Sequence, residues 1–299
     1  MPLPSVLELL LHYKHEQDYY VWSLMAEYLA GTARLFRGAP LFGLLRAFVV
    51  DLASGIEQRL WSALAPGTGA AQTTVNGQAM QQFYSLIVSL LNLVGDSASL
   101  KRTRALFAEH VSGERSVAPN MRDVVFRSAV ATCPDRADYD AVLALYEHAD
   151  MSEEKRMYLA ALASANTPAL VESYLQFLLS DAVRPQDAVL GYHSLAMASA
   201  ESHKMMWSHF VSNFDVYDER FNRGGQSFLL SGVAGALISE GKTSAFADEV
   251  SAFFATHAWP AADSAIRKGV ETVRFNAERS AREEAVLHDW LATRYKSVA

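Results

Sequence analysis

The chain carries apolar residues at spacings of three and four along most of its length, which is the spacing that aligns side chains on one face of an α-helix. The pattern is clear at Val21, Leu24, Met25, Tyr28 and Leu29. Four further stretches show the same spacing, namely residues 83–94, 139–146, 170–179 and 246–254. Alternating runs of the strand type are nearly absent. The pattern predicts an all-α chain of roughly 13 to 15 helices.

Prolines and capping residues mark the predicted helix boundaries. Thr167 and the proline after it predict a helix start, because a Thr side chain accepts from free backbone N–H groups and Pro fits the first turn. Residues 184–187 predict a second start, with an aspartate in the first turn where the helix dipole favours an anion. Asp150 followed by Glu153 resembles a capping box. These residues lie between the helical stretches and not within them.

The middle of the chain repeats a helical-hairpin pattern. The small residues of 129–133 align with those of 161–165 at an offset of 32, and residues 163–165 align with 198–200 at an offset of 35. Each segment ends one helix, and a short turn and a second helix follow. Such hairpins stack on their neighbours to bury a shared core. The sequence therefore predicts a superhelical stack of antiparallel helical hairpins, a HEAT/armadillo-like α-solenoid.

A stretch rich in Gly, Ala and Thr, residues 65–77, separates two helical patterns. We interpret it as a long loop between helices, because the composition does not change elsewhere along the chain. The alternative is a linker between two domains, which a chain of 299 residues is long enough to hold. The prediction is a single α-solenoid domain over residues 1–299.

Composition and charge narrow the possible partners. Hydrophobic residues make up 51% of the chain and charged residues 20%, the balance of an ordinary folded protein. The formal net charge of −7 repels phosphate backbones, so no nucleic-acid partner is predicted. No apolar run reaches the length of about 18 residues that a membrane span needs, so no membrane partner is predicted either.

The single cysteine, Cys133, provides neither an internal disulfide nor a thiolate zinc site. It precedes Pro134 and has no histidine beside it in the sequence, so we interpret it as a small buried residue; spatial pairing with a histidine stays open. A lone thiol suits a reducing compartment, and residues 1–4 lack the basic region of a secretory signal. A cytoplasmic location is expected.

The first candidate for metal chemistry is His12 and His15 with the adjacent Glu16. Two histidines three apart can share a helix face, but zinc-peptidase helices use H-E-x-x-H, with histidines four apart and a Glu as general base. That motif is absent from the sequence. We expect two partly exposed histidines on an amphipathic helix, with metal binding as the alternative.

A second candidate is the pair His203 and His209 around Met205, Met206 and Trp207. Six residues apart, the two histidines are expected on different faces of a helix. The Met-Met-Trp cluster is expected in the core. The remaining histidines are interpreted as ordinary packed or surface residues; they are His110, His148, His193, His257 and His288.

We assign no catalytic or binding role to three further sequence patterns. Residues 222–226 hold two glycines but lack the spacing of a phosphate-binding loop, so a tight turn is expected. The basic cluster 101–104 is interpreted as a solvated helix face. The carboxylate pairs 153–154 and 283–284 are expected to serve solubility and dipole matching. No catalytic, cofactor-binding or metal-binding residue is assigned.

Residues 7–22 are similar to a segment of one family in which a Leu-rich helix is followed by an acid, a Tyr and a Trp. Glu16, Tyr20 and Trp22 are the matching positions, whereas His12 and His15 are outside the pattern. Further blocks follow in the same order: residues 41–61, 184–187, Trp207, Phe210, residues 224–230 and 249–254, Ile266, Glu271, Arg274, Asn276, Trp290 and Leu291.

In these blocks the chain resembles the C-terminal helical domain of M1-type zinc aminopeptidases, of the puromycin-sensitive and endoplasmic-reticulum aminopeptidase branch. The resemblance implies a stack of HEAT-like hairpins that covers a separate zinc-binding catalytic domain and closes a chamber over peptide substrates. The implied partners are that catalytic domain, in the same polypeptide, and peptides. Zinc is implied for the catalytic domain and no cofactor for this chain.

The family's H-E-x-x-H motif and its Gly-x-Met-Glu-Asn element are absent from the sequence. The resemblance therefore implies a truncated C-terminal domain that is inactive by itself. The alternative function is a free-standing helical-repeat scaffold that binds a protein partner on a concave face.

Overall fold

The computed structural model describes residues 2–64, 75–223 and 227–295. This part of the chain contains fifteen α-helices and no strand, so the prediction of an all-α helical stack is confirmed. The helices are α1 Leu3–His12, α2 Tyr19–Phe36, α3 Phe42–Ala63, α4 Val75–Val94, α5 Ser97–Val111, α6 Pro119–Thr132, α7 Ala137–His148, α8 Ser152–Leu162, α9 Pro168–Leu179, α10 Pro185–Ala198, α11 Ala200–Ser212, α12 Phe214–Asp218, α13 Leu230–Ile238, α14 Ser244–Thr256 and α15 Asp263–Arg294.

Side chains cap several helix starts as the sequence predicts. The Thr167 hydroxyl accepts a hydrogen bond from the Leu170 N–H at 3.3 Å, with Pro168 in the first turn of α9. The capping box predicted at Asp150 and Glu153 is wrong. The backbone of Met151 is still extended and no side chain caps α8, so this helix begins one residue later than the box requires.

The helix start predicted at residues 184–187 is confirmed. Pro185 opens α10, and Asp187 lies in its first turn. The Asp187 carboxylate is largely buried and forms an ion pair with Arg184 at 2.7 Å. The Asp187 carboxylate therefore interacts favourably with the dipole of α10 and also forms a local ion pair.

The small-residue segments of the predicted repeat lie at the ends of helices. Residues 129–133 and 161–165 span the ends of α6 and α8, and residues 198–200 span the junction of α10 with α11. Small side chains at a helix end allow the following helix to pack closely against it. These segments therefore lie where one helix gives way to the next, and the HEAT/armadillo-like repeat stays a prediction.

The chain divides into two compact units. One comprises residues 1–129 and 281–299, and the other comprises residues 130–280. The single domain over residues 1–299 stays a prediction. Of the predicted loop, residues 65–74 lie outside the described residues, and residues 75–77 belong to the first turn of α4.

The core of the first unit is built around α2, α3 and α4, which pack against one another. Trp22 and Phe48 are fully buried there, and the Trp22 indole N–H donates to the Glu16 carbonyl at 3.0 Å. The last turns of α15 complete this core, since the Trp290 ring lies 5.7 Å from that of Phe48 and Leu291 is fully buried.

Polar contacts tie α15 to α1 within the same unit. The Glu283 carboxylate accepts from the Leu3 N–H at 3.2 Å, which satisfies a free donor at the start of α1. Glu8 accepts from the Trp290 indole N–H and pairs with Arg294. The expectation that Glu283 serves only solubility and its own helix dipole is therefore wrong, because its partner lies 280 residues away in the sequence.

The basic cluster at residues 101–104 does not form a purely solvated face, so that interpretation is wrong for Arg102. Its guanidinium pairs with the buried Glu57 carboxylate at 2.7 Å. The same Glu57 oxygen accepts from the Tyr84 hydroxyl at 3.2 Å. Burial of one charge requires a charged partner, which explains why Arg102 turns inward.

In the second unit, α8, α10 and α13 lie side by side, and α9 packs beside α11. The approach of α10 and α13 depends on Gly232, where an added Cβ would lie 2.6 Å from Cγ1 of Val189. Gly191 allows a similar approach of α10 to α9, because an added Cβ would lie 2.4 Å from Leu178. These two glycines set the spacing of the helices.

An aromatic cluster joins α11, α12 and α14. Trp207 contacts Phe210, Phe246 and Phe253 with ring centroids 5.4 to 5.7 Å apart. Met206 and Trp207 are buried, so the expectation that the Met-Met-Trp cluster lies in the core is confirmed for these two residues. The rings bury a large apolar area in this unit.

Within the described residues, no single helix has both the length and the apolar content to cross a membrane. One bent pair, Gly77–Val94 and Ser97–Val111 at 119°, meets those two criteria jointly.

The Arg102–Glu57 pair gives a stability prediction. Arg102→Met leaves the Glu57 carboxylate buried without its charged partner, so the free energy of unfolding should fall by about 2 kcal/mol. Urea unfolding followed by circular dichroism measures this change.

The matched control is Arg127→Met, which removes a solvent-exposed pair with Asp123 and should change stability by less than about 0.5 kcal/mol. In the Arg102→Met background, Glu57→Gln should recover part of the loss, since an unpaired amide is cheaper to bury than a carboxylate. Equal effects of the Arg102 and Arg127 variants would contradict the assigned role.

Candidate functional site

The first predicted candidates, His12 and His15, do not share a helix face. His12 is the last residue of α1, and His15 lies in the turn that follows, so its predicted placement on the helix is wrong. Both side chains are exposed. The Glu16 carboxylate accepts from the backbone N–H groups of Gln17 and Asp18, so it organises the turn before α2.

His203 is a buried core residue. Its Nε2 donates to the Leu237 carbonyl at 2.9 Å, and its ring packs edge-on against Phe246. Burial lowers the pKa of His203 to about 4, because the charged form loses its hydration. The neutral ring joins α11 to α13 and is enclosed by protein.

His209 faces a different direction from His203, as predicted, and takes part in a short polar line. Its Nδ1 lies 3.0 Å from the Tyr217 hydroxyl, and its Nε2 lies 3.7 Å from a Glu172 carboxylate oxygen. Burial lowers the pKa of the His209 ring. Although a Glu-His-Tyr line resembles an acid–base relay, Tyr217 at its inner end is fully buried, and only Glu172 at the other end is open to solvent.

Cys133 is buried, as expected, and its thiol donates to the Val130 carbonyl at 3.2 Å. Of the glycine segment 222–226, residues 224–226 lie outside the described part of the chain. The described part ends in a polar cluster around Asp218, whose carboxylate accepts from the Trp259 indole N–H at 3.0 Å and pairs with Arg223 at 2.8 Å. These contacts tie Arg223 and Trp259 to the buried Asp218 carboxylate.

Metal binding was the alternative for the histidines. In residues 2–64, 75–223 and 227–295, no three side chains of His, Cys, Asp or Glu come together as a metal would require. The donors that are close to one another, such as His209 and Glu172, occur in pairs. The described residues therefore do not fit a zinc ion.

The most distinctive open surface of the second unit lies on α10. Gln186, Leu190, His193 and Met197 recur at spacings of four, three and four, and all are exposed. Their helix is the central member of the α8, α10 and α13 layer, so this face, which we call the α10 surface, is flanked by helices on both sides. It combines two apolar side chains with an amide and an imidazole, and the Glu240 carboxylate lies near enough to act on the His193 ring.

A comparison of the sequence with known protein families shows which family the chain belongs to. The family model for the ERAP1-like C-terminal domain matches residues 1–275. The chain belongs to this family.

Individual relatives agree with the family assignment. The chain is 26% identical to aminopeptidase M1-A of Oryza sativa subsp. japonica, over 95% of this chain and 32% of that protein. It is 26% identical to aminopeptidase M1 of Arabidopsis thaliana, over 92% of this chain and 30% of that protein. It is 21% identical to the alanine/arginine aminopeptidase of Saccharomyces cerevisiae, over 96% of this chain and 32% of that protein. The chain thus spans about a third of the length of these relatives and matches the C-terminal domain of M1 aminopeptidases.

The positions that carry the family resemblance make internal contacts in this ERAP1-like domain. The Trp207 indole N–H donates to the Glu249 carboxylate at 2.7 Å, and Arg274 pairs with Asp248 at 2.8 Å. Sequence reasoning recognised Trp207, Glu249 and Arg274 as matching positions but did not pair them. Their separation of 25 residues or more leaves no local signal of the contact.

The buried His203 gives a pH prediction. Its pKa is about 4 in the folded chain, whereas an unfolded histidine titrates near 6.5, so the unfolded chain binds the extra proton between these values. Stability should therefore fall as the pH falls through this window, by about 2 kcal/mol between pH 7.5 and pH 5. Urea unfolding at several pH values measures the slope.

In His203→Gln the amide can still donate to the Leu237 carbonyl but does not titrate, so the loss on acidification should be smaller. His12→Gln removes an exposed histidine and should leave the slope as it was. If both variants keep the original slope, His203 is not the group that destabilises the acidified chain.

Proposed function

We propose that this chain is the C-terminal domain of a zinc metallo-aminopeptidase that removes N-terminal amino acids from peptides. In this proposal the domain caps the catalytic chamber and shapes peptide access, with no catalysis of its own. The match of residues 1–275 to the ERAP1-like C-terminal domain carries the proposal. The aminopeptidase relatives, which align with nearly the whole chain, support it.

Zinc would be held by the catalytic domain of the same polypeptide and not by this chain. The described histidines lie apart or in the core, and the buried ring of His203 is already committed to a backbone carbonyl. Zinc would polarise the scissile carbonyl and activate water in that other domain. The residues described above bind and orient partners and take no part in bond cleavage.

The α10 surface is the part of this chain that we propose faces peptide. A chamber that accepts many sequences needs contacts that tolerate variation. Leu190 and Met197 offer apolar area, and Met adapts to different side chains because it is unbranched and flexible. His193 adds a hydrogen-bonding ring without imposing a fixed charge.

The proposed partners are thus the catalytic domain and peptide substrates. The net charge of −7 argues against nucleic acid as a partner. The cytoplasmic location expected from the sequence stays a prediction. The alternative function, a free-standing scaffold for a protein partner, rests on the helical-repeat pattern alone and does not explain the relatives.

The first prediction concerns the purified chain. It should contain no stoichiometric zinc by atomic emission and should not hydrolyse amino-acyl chromogenic substrates, because the catalytic domain supplies that chemistry. Zinc-dependent hydrolysis by the purified chain would refute the assignment of a non-catalytic domain.

The second prediction concerns peptide binding. The double variant Leu190→Glu/Met197→Glu should weaken binding of labelled decapeptides about tenfold, since about 1.4 kcal/mol of lost apolar contact is a factor of ten. Fluorescence polarisation measures the affinity. The control Val216→Glu changes an exposed apolar residue on α12 and should leave the affinity unaltered.

The native polypeptide separates the proposal from the scaffold alternative. An antibody raised against this chain should recover a polypeptide about three times as long, with bound zinc and aminopeptidase activity, as the coverage of the relatives implies. Recovery of a 299-residue polypeptide without zinc would favour the scaffold.

A further inference from the structure

The first unit contains a cavity of about 280 Å³ that no contact described so far uses. It lies among the end of α3, the start of α4, the end of α5 and the segment that leads into α6. Trp61, Leu106 and Met121 provide its apolar walls. Glu109 and Arg115 line it as well and supply one charge of each sign.

The chain turns sharply to place the two charges at the cavity. Gly113 follows α5 with φ of +76°, a conformation that residues with a Cβ rarely adopt. The Arg115 N–H then donates to the Glu109 carbonyl at 3.0 Å, which brings the two residues together. The Val117 N–H donates to His110 Nδ1 at 3.3 Å, so the returning segment is anchored to α5.

The opposite wall is also tied in place. The Ser85 hydroxyl of α4 donates to the Asn120 carbonyl of α6 at 2.6 Å, and Asn120 Nδ2 donates to the Gln78 carbonyl. The Trp61 ring packs against Tyr84 with centroids 5.5 Å apart. The cavity is therefore bounded by fastened elements and does not depend on one movable side chain.

The two charges are near each other without being fully satisfied by each other. Arg115 NH1 and Glu109 Oε2 lie 3.8 Å apart, beyond hydrogen-bond distance. Their side chains are 42% and 35% exposed, so both are open to a ligand that approaches from solvent. A carboxylate and a guanidinium side by side complement a molecule that carries an ammonium and a carboxylate on the same carbon atom.

The apolar walls and the size of the cavity determine which side chain the ligand can carry. A cavity of about 150 Å³ lined by apolar side chains holds benzene. The 280 Å³ here leaves room for a ring or branched aliphatic group together with one amino-acid backbone, but not for a peptide. Trp61 and Met121 both favour contact with an aromatic ring.

We propose that this cavity binds a free α-amino acid with a large apolar side chain, such as phenylalanine or leucine. The side chain lies against Trp61, Leu106 and Met121, the ammonium group meets Glu109, and the carboxylate meets Arg115. This ligand class is what the proposed peptidase would release, but the site is assigned from the cavity and its charges alone. Its test uses the isolated chain, so a failure here leaves the proposed function untouched.

The first experiment titrates the chain with L-phenylalanine by isothermal titration calorimetry. A ligand of this size should bind with a dissociation constant of about 0.1 to 1 mM. N-acetylphenylalanine lacks the ammonium and phenylalaninamide lacks the carboxylate, so each should bind about tenfold more weakly. Alanine lacks the large side chain and should show no saturable binding. The absence of saturable phenylalanine binding, or equal affinity for all four compounds, would overturn the proposal.

The second experiment assigns the binding to this cavity. Arg115→Gln should weaken phenylalanine binding about tenfold and leave phenylalaninamide binding unchanged, because that ligand has no carboxylate to lose. Glu109→Gln should show the reverse selectivity, with N-acetylphenylalanine unaffected. Both residues are partly exposed, so both variants should fold, which circular dichroism and urea unfolding verify.

Arg127→Gln is the matched control, since it removes an exposed ion pair on α6 that does not line the cavity. It should leave phenylalanine affinity unchanged. Affinity that falls equally in the Arg115 and Arg127 variants, or that survives in Arg115→Gln and Glu109→Gln, would place the ligand elsewhere and overturn the assignment.

Discussion

In the described part of the chain the helices bury apolar faces against neighbouring helices, and the rest of the structure depends on that constraint. Most of the described helices have 15 residues or fewer, a length at which an isolated helix is marginal in water. The short α13, Leu230–Ile238, has almost no polar face and exists because α10 and α11 pack on it. The depth of that packing is set by Gly232, where any side chain would meet Val189.

Close packing also decides where charges are allowed. The buried carboxylates of Glu57, Asp187 and Asp218 each pair with an arginine, at 2.7, 2.7 and 2.8 Å. In each case the arginine lies nearer the surface than its partner, so part of its hydration is kept and the cost of burial is reduced. The Arg102–Glu57 pair joins α5 to α3, whereas the other two pairs are local and hold the start of α10 and the segment after α12.

The sequence predicts local features well and distant pairings poorly. The cap at Thr167 and the core position of Trp207 depend on neighbouring residues and were predictable from spacing alone. The pairing of Arg102 with Glu57 joins two different helices, and no local pattern distinguishes that arginine from a solvated one. The cavity beside Arg115 escaped prediction for the same reason, since four separate segments form its walls.

The hydrogen bond from the Leu3 N–H to the Glu283 carboxylate joins two residues that are synthesised far apart in time. Leu3 is synthesised 280 residues before its acceptor, Glu283. The same delay applies to Phe48, whose ring is covered by Trp290. The first unit therefore cannot finish folding during translation of its own helices, whereas residues 130–280 form a compact unit that is complete before then. Residues 130–280 can therefore reach their native packing before the last turns of α15 are available to the first unit.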